Sequence, residues 1–178
     1  SRDAARPLDR LALRLLGPDR TGALLIVPEG VRDGAHLPGG FILLNRAVVE
    51  DHEDADVVAG YIIAEQVRAD MRDPLADLLD HAGLWASLRL LTSGAVPDAA
   101  LEAYAEHLLT LPTPAMDPEV LLTAFADAGV RSTPYGYALD ITGESSLPLI
   151  EADPFSGGGS RLVMTDADWV RLQGICGG

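Results

Sequence analysis

The apolar residues in the first part of the chain follow a helical period and then a strand period. The segment Pro7–Gly17 has leucines at helical spacing and ends in Gly-Pro, which predicts a first helix. The continuous apolar run Ala23–Gly30 is closed by proline and glycine and predicts a buried strand. The next apolar segment, Phe41–Val49, follows a Pro-Gly-Gly turn and fits either a strand throughout or a strand followed by a helix.

An acidic run, Glu50–Asp56, precedes the next apolar segment. Carboxylates favour the positive N-terminal end of a helix, so this run predicts a helix from about Asp54 to Met71. On that helix Glu65 shares a face with apolar residues, among them Tyr61 and Ile62. We therefore expect Glu65 to be partly buried. Because burying an unpaired carboxylate costs on the order of 3 kcal/mol or more, we also expect it to have a partner.

The second half of the chain shows helical patterns followed by an alternating one. Apolar periodicity with start and stop signals predicts three further helices, at Pro74–Leu91, Val96–Leu111 and Asp117–Gly129. The segment Thr133–Asp153 then alternates and contains a Thr-Gly-Glu turn, which predicts a β-hairpin. A Gly/Ser loop and a short capped helix around Trp169 follow.

These patterns indicate one α+β domain, mostly helical with a small sheet. A chain of 178 residues is long enough for one domain with a substantial core, and it contains no internal repeat. We therefore expect a single domain over residues 1–178, with the hairpin and a tail forming its C-terminal part from about residue 133.

The charge of the chain disfavours two classes of partner. The net charge is −14, with 13 arginines and no lysine, so the surface repels nucleic-acid phosphates and anionic lipid. No apolar run approaches the roughly 20 residues that span a bilayer. The single cysteine, Cys176, excludes an internal disulfide and a cysteine-based zinc site. Because the chain begins at Ser1 without an initiator methionine, we expect that a preceding segment, such as a signal peptide, has been removed.

The residues around Glu65 have the pattern of a zinc-peptidase helix without its histidines. In the motif H-E-x-x-H two histidines four residues apart bind one zinc ion, and the glutamate activates the bound water. Here Ala64 and Arg68 stand at the histidine positions, and only Glu65 keeps the motif residue. Many ordinary helices contain A-E-x-x-R, so the interpretation depends on the surrounding sequence.

Those surroundings resemble the HtpX/CAAX-prenyl-protease type of gluzincin metallopeptidase over roughly residues 36–125. In that family a strand with P-G-G and an apolar segment lead into the zinc-binding helix, and here Pro38, Gly39 and Gly40 take the P-G-G positions at the edge of the cleft. The resemblance implies a zincin-like fold. Bacterial peptidases of this type are often exported or membrane-tethered, so it also implies a periplasmic or exported location, with a cytoplasmic location as the alternative.

The resemblance continues into the second half of the chain. The family places its third zinc ligand in an E-x-x-A-D segment, followed by a helix and a G-x-D-P turn. Glu102 falls on the ligand glutamate and Glu106 on the aspartate, while Asp117 and Pro118 repeat the turn. The resemblance therefore implies that Glu65 is a relic of the general base and that Ala64, Arg68 and Glu102 are former metal-ligand positions. The alternative is that Glu65 is a surface residue or a simple ion-pair partner.

The chain does not carry the usual zinc ligands. A peptidase site needs three protein ligands, and two of the three are replaced by alanine and a permanently cationic arginine. No two of the four histidines are four residues apart, so we expect them to lie at the surface or to form hydrogen bonds: His36, His52, His81 and His107. We therefore expect no metal and no other cofactor.

Arg68 offers a substitute for the missing cation. If the two helices cross as in the family, Glu65 and Glu102 lie close together and repel each other, and a guanidinium group can hold carboxylates bidentately. We predict that Arg68 bridges the two glutamates. The alternative is an Arg68 side chain in solvent, or an i,i+3 pair with Glu65 worth roughly 0.2 to 0.5 kcal/mol.

Three functions follow from these observations. The first is a metallopeptidase-like pseudoenzyme that binds a peptide or protein partner in the former cleft or has a structural role. The second is an active zinc-dependent peptidase with unconventional ligands. The third is an unrelated α+β domain whose resemblance arises by chance. Zinc content separates the first two, and the crossing of the Glu65 and Glu102 helices separates both from the third.

Overall fold

The computed structural model describes residues 2–37, 40–71 and 116–174 of the chain. Within these ranges the chain is α+β, mostly helical with one small sheet, as the sequence pattern predicts. The elements in chain order are α1 (Arg2–Leu16), β1 (Leu24–Val27), β2 (Gly34–Leu37), β3 (Phe41–Asn45), α2 (Arg46–Glu50), α3 (Ala55–Met71), α4 (Pro118–Ala128), α5 (Thr133–Leu139), α6 (Leu147–Glu151) and α7 (Asp166–Gln173). The helices expected at Pro74–Leu91 and Val96–Leu111 lie outside the described residues.

The sheet has three strands in the order β1–β3–β2. The central strand β3 pairs in parallel with β1, Leu24 opposite Ile42, and antiparallel with β2, Gly34 opposite Leu44. Ile42 and Leu44 are buried, whereas Phe41 at the start of β3 is exposed. The segment Phe41–Val49 is therefore a strand followed by a helix, because Asn45 ends β3 and its side chain accepts a hydrogen bond from the backbone N–H of Ala47 in α2.

Helix α3 is the central element of the described fold. Eleven of its 17 residues are buried, and they occur on all sides of the helix rather than along one stripe. It contacts β2 and β3 together with α1, α2, α4 and α5. Helix α5 lies close to α3 at Gly60, where an added Cβ atom would lie 2.5 Å from the Cβ atom of Tyr135 in α5. The missing side chain therefore lets α5 lie directly against α3.

The N-terminus of α3 is tied to the chain between α4 and α5. The side chain of Asp54 accepts a hydrogen bond from the backbone N–H of Asp56, as expected for an acidic residue at a helix start. Arg131 binds both carboxylates, with Nε 2.6 Å from Asp56 and Nη2 2.7 Å from Asp54. Burial raises the pKa of Asp56 above its usual value, and the hydrogen bond from Arg131 opposes that shift. This contact fixes the start of α3 against the C-terminal helices.

Several predicted helices are confirmed with their end signals. Helix α4 has Asp117 as its N-cap, Pro118 at its first position, and Gly129 after its end at φ 67°. Helix α1 lies over the predicted first helix, and β1 lies within the predicted first strand. Helix α7 begins after Thr165, whose side chain accepts from the backbone N–H of Asp168.

The prediction of a β-hairpin at Thr133–Asp153, in the C-terminal part that begins at about residue 133, is wrong. This segment forms the short helices α5 and α6, joined by a turn at the predicted Thr-Gly-Glu position. Tertiary contacts decide the outcome, because Tyr135 packs against Gly60 and the hydroxyl groups of Ser132 and Ser146 donate to backbone carbonyls of the facing helix. The alternating tyrosines therefore reflect one inward and one outward position on a short helix.

No helix in the described ranges has both the length and the apolar character needed to cross a membrane.

Candidate functional site

The three residues of the altered zinc motif lie in the middle of α3. Ala64 is completely buried, and Glu65 is only 4% exposed. One turn later, the side chain of Arg68 is 15% exposed. The predicted burial of Glu65 is confirmed.

Each oxygen of the Glu65 carboxylate has a different partner. Oε2 lies 3.0 Å from Nδ1 of His36 in β2, and Oε1 accepts a hydrogen bond from Nη1 of Arg68. A carboxylate can only accept, so Nδ1 of His36 carries the hydrogen of its bond. The side chain of His36 is also mostly buried. We call His36, Glu65 and Arg68 the Glu65 cluster.

The i,i+3 pair of Glu65 and Arg68 is buried, unlike a surface pair. An exposed pair at this spacing contributes roughly 0.2 to 0.5 kcal/mol. Removing one partner of a buried pair costs far more, about 3 to 5 kcal/mol, because the remaining charge is left desolvated. Arg46 and Glu50 form a comparable pair on α2, but their side chains are 44% and 33% exposed. The Glu65 cluster is therefore a stability determinant as well as a candidate site.

Small and aromatic residues shape the cluster. An added Cβ atom on Gly34 would lie 3.3 Å from Cγ of Glu65 and 3.3 Å from the carbonyl oxygen of Leu43, so glycine lets β2 approach α3. The rings of Tyr61 and Tyr135 lie edge to face with centroids 5.0 Å apart. Burial raises the pKa of Tyr61 to about 12. Burial also raises the pKa of Tyr135, and the positive charge of Arg68 opposes that shift. Both phenol groups are therefore neutral at physiological pH, and their rings place apolar surface next to the cluster.

Two nitrogen atoms of the cluster are buried without a hydrogen-bond partner among the described residues. They are Nε2 of His36 and Nε of Arg68. Nε of arginine is always a donor, whereas Nε2 of histidine accepts when the ring is neutral with its hydrogen on Nδ1 and donates when the ring is protonated. The cluster thus retains two polar nitrogen atoms besides those that contact Glu65.

Among the strands of the described residues, β2, which carries His36, lies at an edge of the sheet. The backbone N–H of Ile42 in β3 donates to the carbonyl oxygen of Ala23, on the side of β1. Because backbone groups alternate in direction along a strand, those of Leu43 point to the other side, toward Ala35 in β2. By the same alternation, the N–H and C=O groups of Gly34 and His36 point away from β3. These are the groups with which a further strand pairs at a sheet edge.

The donor set at Glu65 does not fit the zinc centre of the resembled family. Ala64 has no ligand atom, and Arg68 is a permanent cation that binds the carboxylate a metal would need. Among the residues the structure describes, no three histidine, cysteine, aspartate or glutamate side chains form a group that could hold a metal ion. Glu65 is paired on both oxygens and is not available as a free base in this arrangement.

The remaining predicted site residues fall into two groups. Gly40 lies in the turn before β3 at φ 80°, and its carbonyl oxygen accepts from the guanidinium of Arg20. The carbonyl oxygen of His52 accepts from Nε2 of Gln173 at 3.0 Å. The predicted bridge is seen only in its Glu65–Arg68 half, because Glu102 lies outside the described residues. The same is true of the other predicted site residues: Pro38, Gly39, His81, Glu106 and His107.

The pairing of His36 with Glu65 was not predicted. Sequence reasoning expected a surface or hydrogen-bonded role for each histidine, and His36 does form a hydrogen bond, but its partner is 29 residues away. The available signal was its place in a short strand beside the Pro-Gly-Gly turn, where side chains alternate between the two faces of the sheet.

No protein-family model, curated protein sequence or solved structure matched the chain.

Proposed function

We propose that this chain is a non-catalytic, zincin-like member of the HtpX/CAAX-prenyl-protease type, which binds a peptide or protein segment along the outer edge of β2. The order of elements supports the proposal. A β2–β3 hairpin at the Pro-Gly-Gly position is followed by a buried helix, and Glu65 of that helix faces the hairpin. This is the order of strand, apolar segment and helix on which the resemblance rests.

The neutralisation of Glu65 carries the non-catalytic part of the proposal. A general base needs a carboxylate oxygen that can reach a water molecule. Both oxygens of Glu65 are instead held by cationic or N–H groups, in a site that is nearly closed to solvent. The guanidinium of Arg68 supplies the positive charge that zinc supplies in a peptidase.

The edge of β2 supports the peptide-binding part of the proposal. An extended peptide can pair with an exposed sheet edge through main-chain hydrogen bonds, and side-chain pockets next to that edge add specificity. The outward backbone groups of Gly34 and His36 provide such an edge, and the Glu65 cluster lies directly beside it.

A cleavage assay tests the proposal. Purified protein should leave casein intact, both as isolated and after addition of zinc, because Ala64 and Arg68 cannot ligate the metal. The matched controls are the variant Glu65→Gln and protein treated with a chelator, which should behave like the untreated protein. Casein cleavage that a chelator stops and Glu65→Gln abolishes would establish the second function, an active peptidase with unconventional ligands.

A further inference from the structure

A second charged feature lies between α1 and α7. A cavity of about 340 Å³ opens there and is lined by Arg6, Pro7, Arg10, Asp168 and Arg171. Three arginines and one aspartate give this lining a net charge of +2, although the chain as a whole carries −14. We call it the arginine cavity.

Asp168 holds two of the arginines in place. Its oxygens lie 2.8 and 2.7 Å from Nη1 of Arg10, and Nη1 of Arg171 lies 3.3 Å from Oδ1. The hydrogen bond from Arg10 also keeps the pKa of Asp168 below its usual value, so the carboxylate stays charged. Asp168 is itself fixed, because its backbone N–H donates to the side chain of Thr165 at the start of α7. The two guanidinium groups are therefore oriented before any ligand arrives.

Most donors of the cavity are not used within the described residues. A guanidinium group has five N–H donors, and Asp168 contacts only Nη1 of Arg10 and of Arg171. Among the residues whose side chains the structure describes, Arg6 has no hydrogen-bond partner. The side chains of Arg10 and Arg171 are 62% and 61% exposed, so their remaining donors can reach a molecule in the cavity.

We propose that the arginine cavity binds the phosphate group of a small phosphorylated molecule. The net charge of +2 matches a phosphate dianion, whereas a carboxylate would leave one positive charge uncompensated. Arginine suits this role because its planar fork binds phosphate oxygens bidentately. The volume lies at the lower end of the range of about 300 to 1,000 Å³ seen for small-molecule sites, which leaves room for an organic group beside the phosphate.

The acidic surface does not cancel this local charge. At physiological salt the Debye length is about 8 Å, so charges elsewhere on the molecule are largely screened at the cavity. Among the acidic residues of the two helices whose side chains the structure describes, Asp9 and Asp166 do not line the cavity. Asp9 is also engaged elsewhere, because it accepts a hydrogen bond from the backbone N–H of Gly22. The strongly negative remainder of the surface does oppose polyanions, which favours a small ligand over a nucleic acid.

Calorimetric titration with inorganic phosphate and with methyl phosphate tests the proposal on the full chain at pH 7.5. We expect saturable binding of at least one probe, weakened by about tenfold or more in Arg6→Gln and in Arg171→Gln, because each variant removes a charge-assisted contact. Arg32→Gln is the matched control, since that side chain is 97% exposed and lies outside the cavity, and it should bind as the unchanged protein does. Tighter binding of methyl phosphate than of phosphate assigns the site to esters, and the reverse assigns it to the free ion.

The pH dependence gives an independent readout. A phosphate monoester loses its second proton with a pKa near 6, whereas arginine stays charged, so binding of methyl phosphate should weaken between pH 7.5 and pH 5. Absence of saturable binding by both probes would overturn the proposal, and so would equal affinities in Arg6→Gln, Arg171→Gln and Arg32→Gln. Arg6 forms no hydrogen bond or salt bridge with Asp168, so Arg6→Gln keeps the Arg10–Asp168 anchor and tests the cavity without removing it.

Discussion

At the scale of single residues, the chemistry of the Glu65 cluster depends on how a buried negative charge is neutralised. His36 comes from β2 and Arg68 from the next turn of α3, so one partner is local in sequence and the other is not. Burial of Glu65 could be predicted from its apolar neighbours on the helix, and so could its need for a partner. The identity of the second partner could not, because it depends on how β2 docks against α3, which Gly34 permits.

The variant Arg68→Ala tests the energetic importance of the cluster. Removing the cation leaves Glu65 buried with only His36, and we expect the free energy of unfolding to fall by about 3 kcal/mol or more. The matched control is Arg46→Ala, which removes an i,i+4 pair of largely accessible side chains and should cost less than about 1 kcal/mol. Urea denaturation of both variants measures the difference, and equal losses would show that the Arg68 pair is no stronger than a surface pair.

Gly60 gives a second prediction at this scale. Replacing glycine with alanine inside a helix normally stabilises it, by roughly 1 kcal/mol. Here the new methyl group would lie 2.5 to 2.8 Å from atoms of the Tyr135 side chain, so steric overlap decides the sign. We expect Gly60→Ala to destabilise the protein by about 1 to 3 kcal/mol, measured by urea denaturation. A rise in stability would mean that α5 does not lie against α3 at this point.

At the scale of elements, predictability follows from whether local signals and tertiary contacts agree. Helix α4 was predictable because Asp117, Pro118 and Gly129 supply its cap, first residue and end. Strands β1 and β3 were predictable as short apolar runs closed by turn residues, whereas β2 was not, because Gly34–Leu37 is not an apolar run. Helices α5 and α6 were not, because each is less than ten residues long and Tyr135 and Tyr137 have the spacing of a strand. Their packing on α3 and on each other overrides the apparent alternation.

Asp153 links α6 to the start of α5 and gives a prediction on pH. Burial favours its protonated form, but hydrogen bonds that include those from the backbone N–H groups of Thr133 and Phe155 lower the pKa below its usual value. A carboxyl group with a lowered pKa stabilises the fold above its unfolded-state pKa of about 3.9, and that contribution is lost as the pH falls through the folded-state value.

We therefore expect Asp153→Asn to lower the free energy of unfolding at pH 7 by about 1 kcal/mol or more. The gap between the two proteins should stay constant down to about pH 5 and shrink below about pH 4. Asp19→Asn is the control, because Asp19 is exposed and accepts no side-chain hydrogen bond among the described residues, and it should change stability by less than about 0.5 kcal/mol. Denaturation at several pH values measures both, and a gap that widens toward acid pH would contradict the assignment.

At the scale of the whole molecule, the described part of the chain is α+β and contains two charged sites of opposite design. The Glu65 cluster is a buried carboxylate neutralised by neighbouring nitrogen groups, and the arginine cavity is an accessible excess of positive charge. The mostly helical class with a small sheet followed from the hydrophobic pattern. The arginine cavity did not, because α1 and α7 are separated by about 150 residues and only the folded chain brings Arg10 to Asp168. The zincin-like relationship remains our proposal.

The zinc content of the protein tests the central claim most directly. Protein purified without chelator should contain far less than one zinc ion per chain, because Arg68 neutralises Glu65 and Ala64 provides no ligand. Elemental analysis by mass spectrometry measures this ratio in the unchanged protein and in Glu65→Gln. A ratio near zero in both proteins is the predicted result. One zinc per chain in the unchanged protein, lost in Glu65→Gln, would contradict the account.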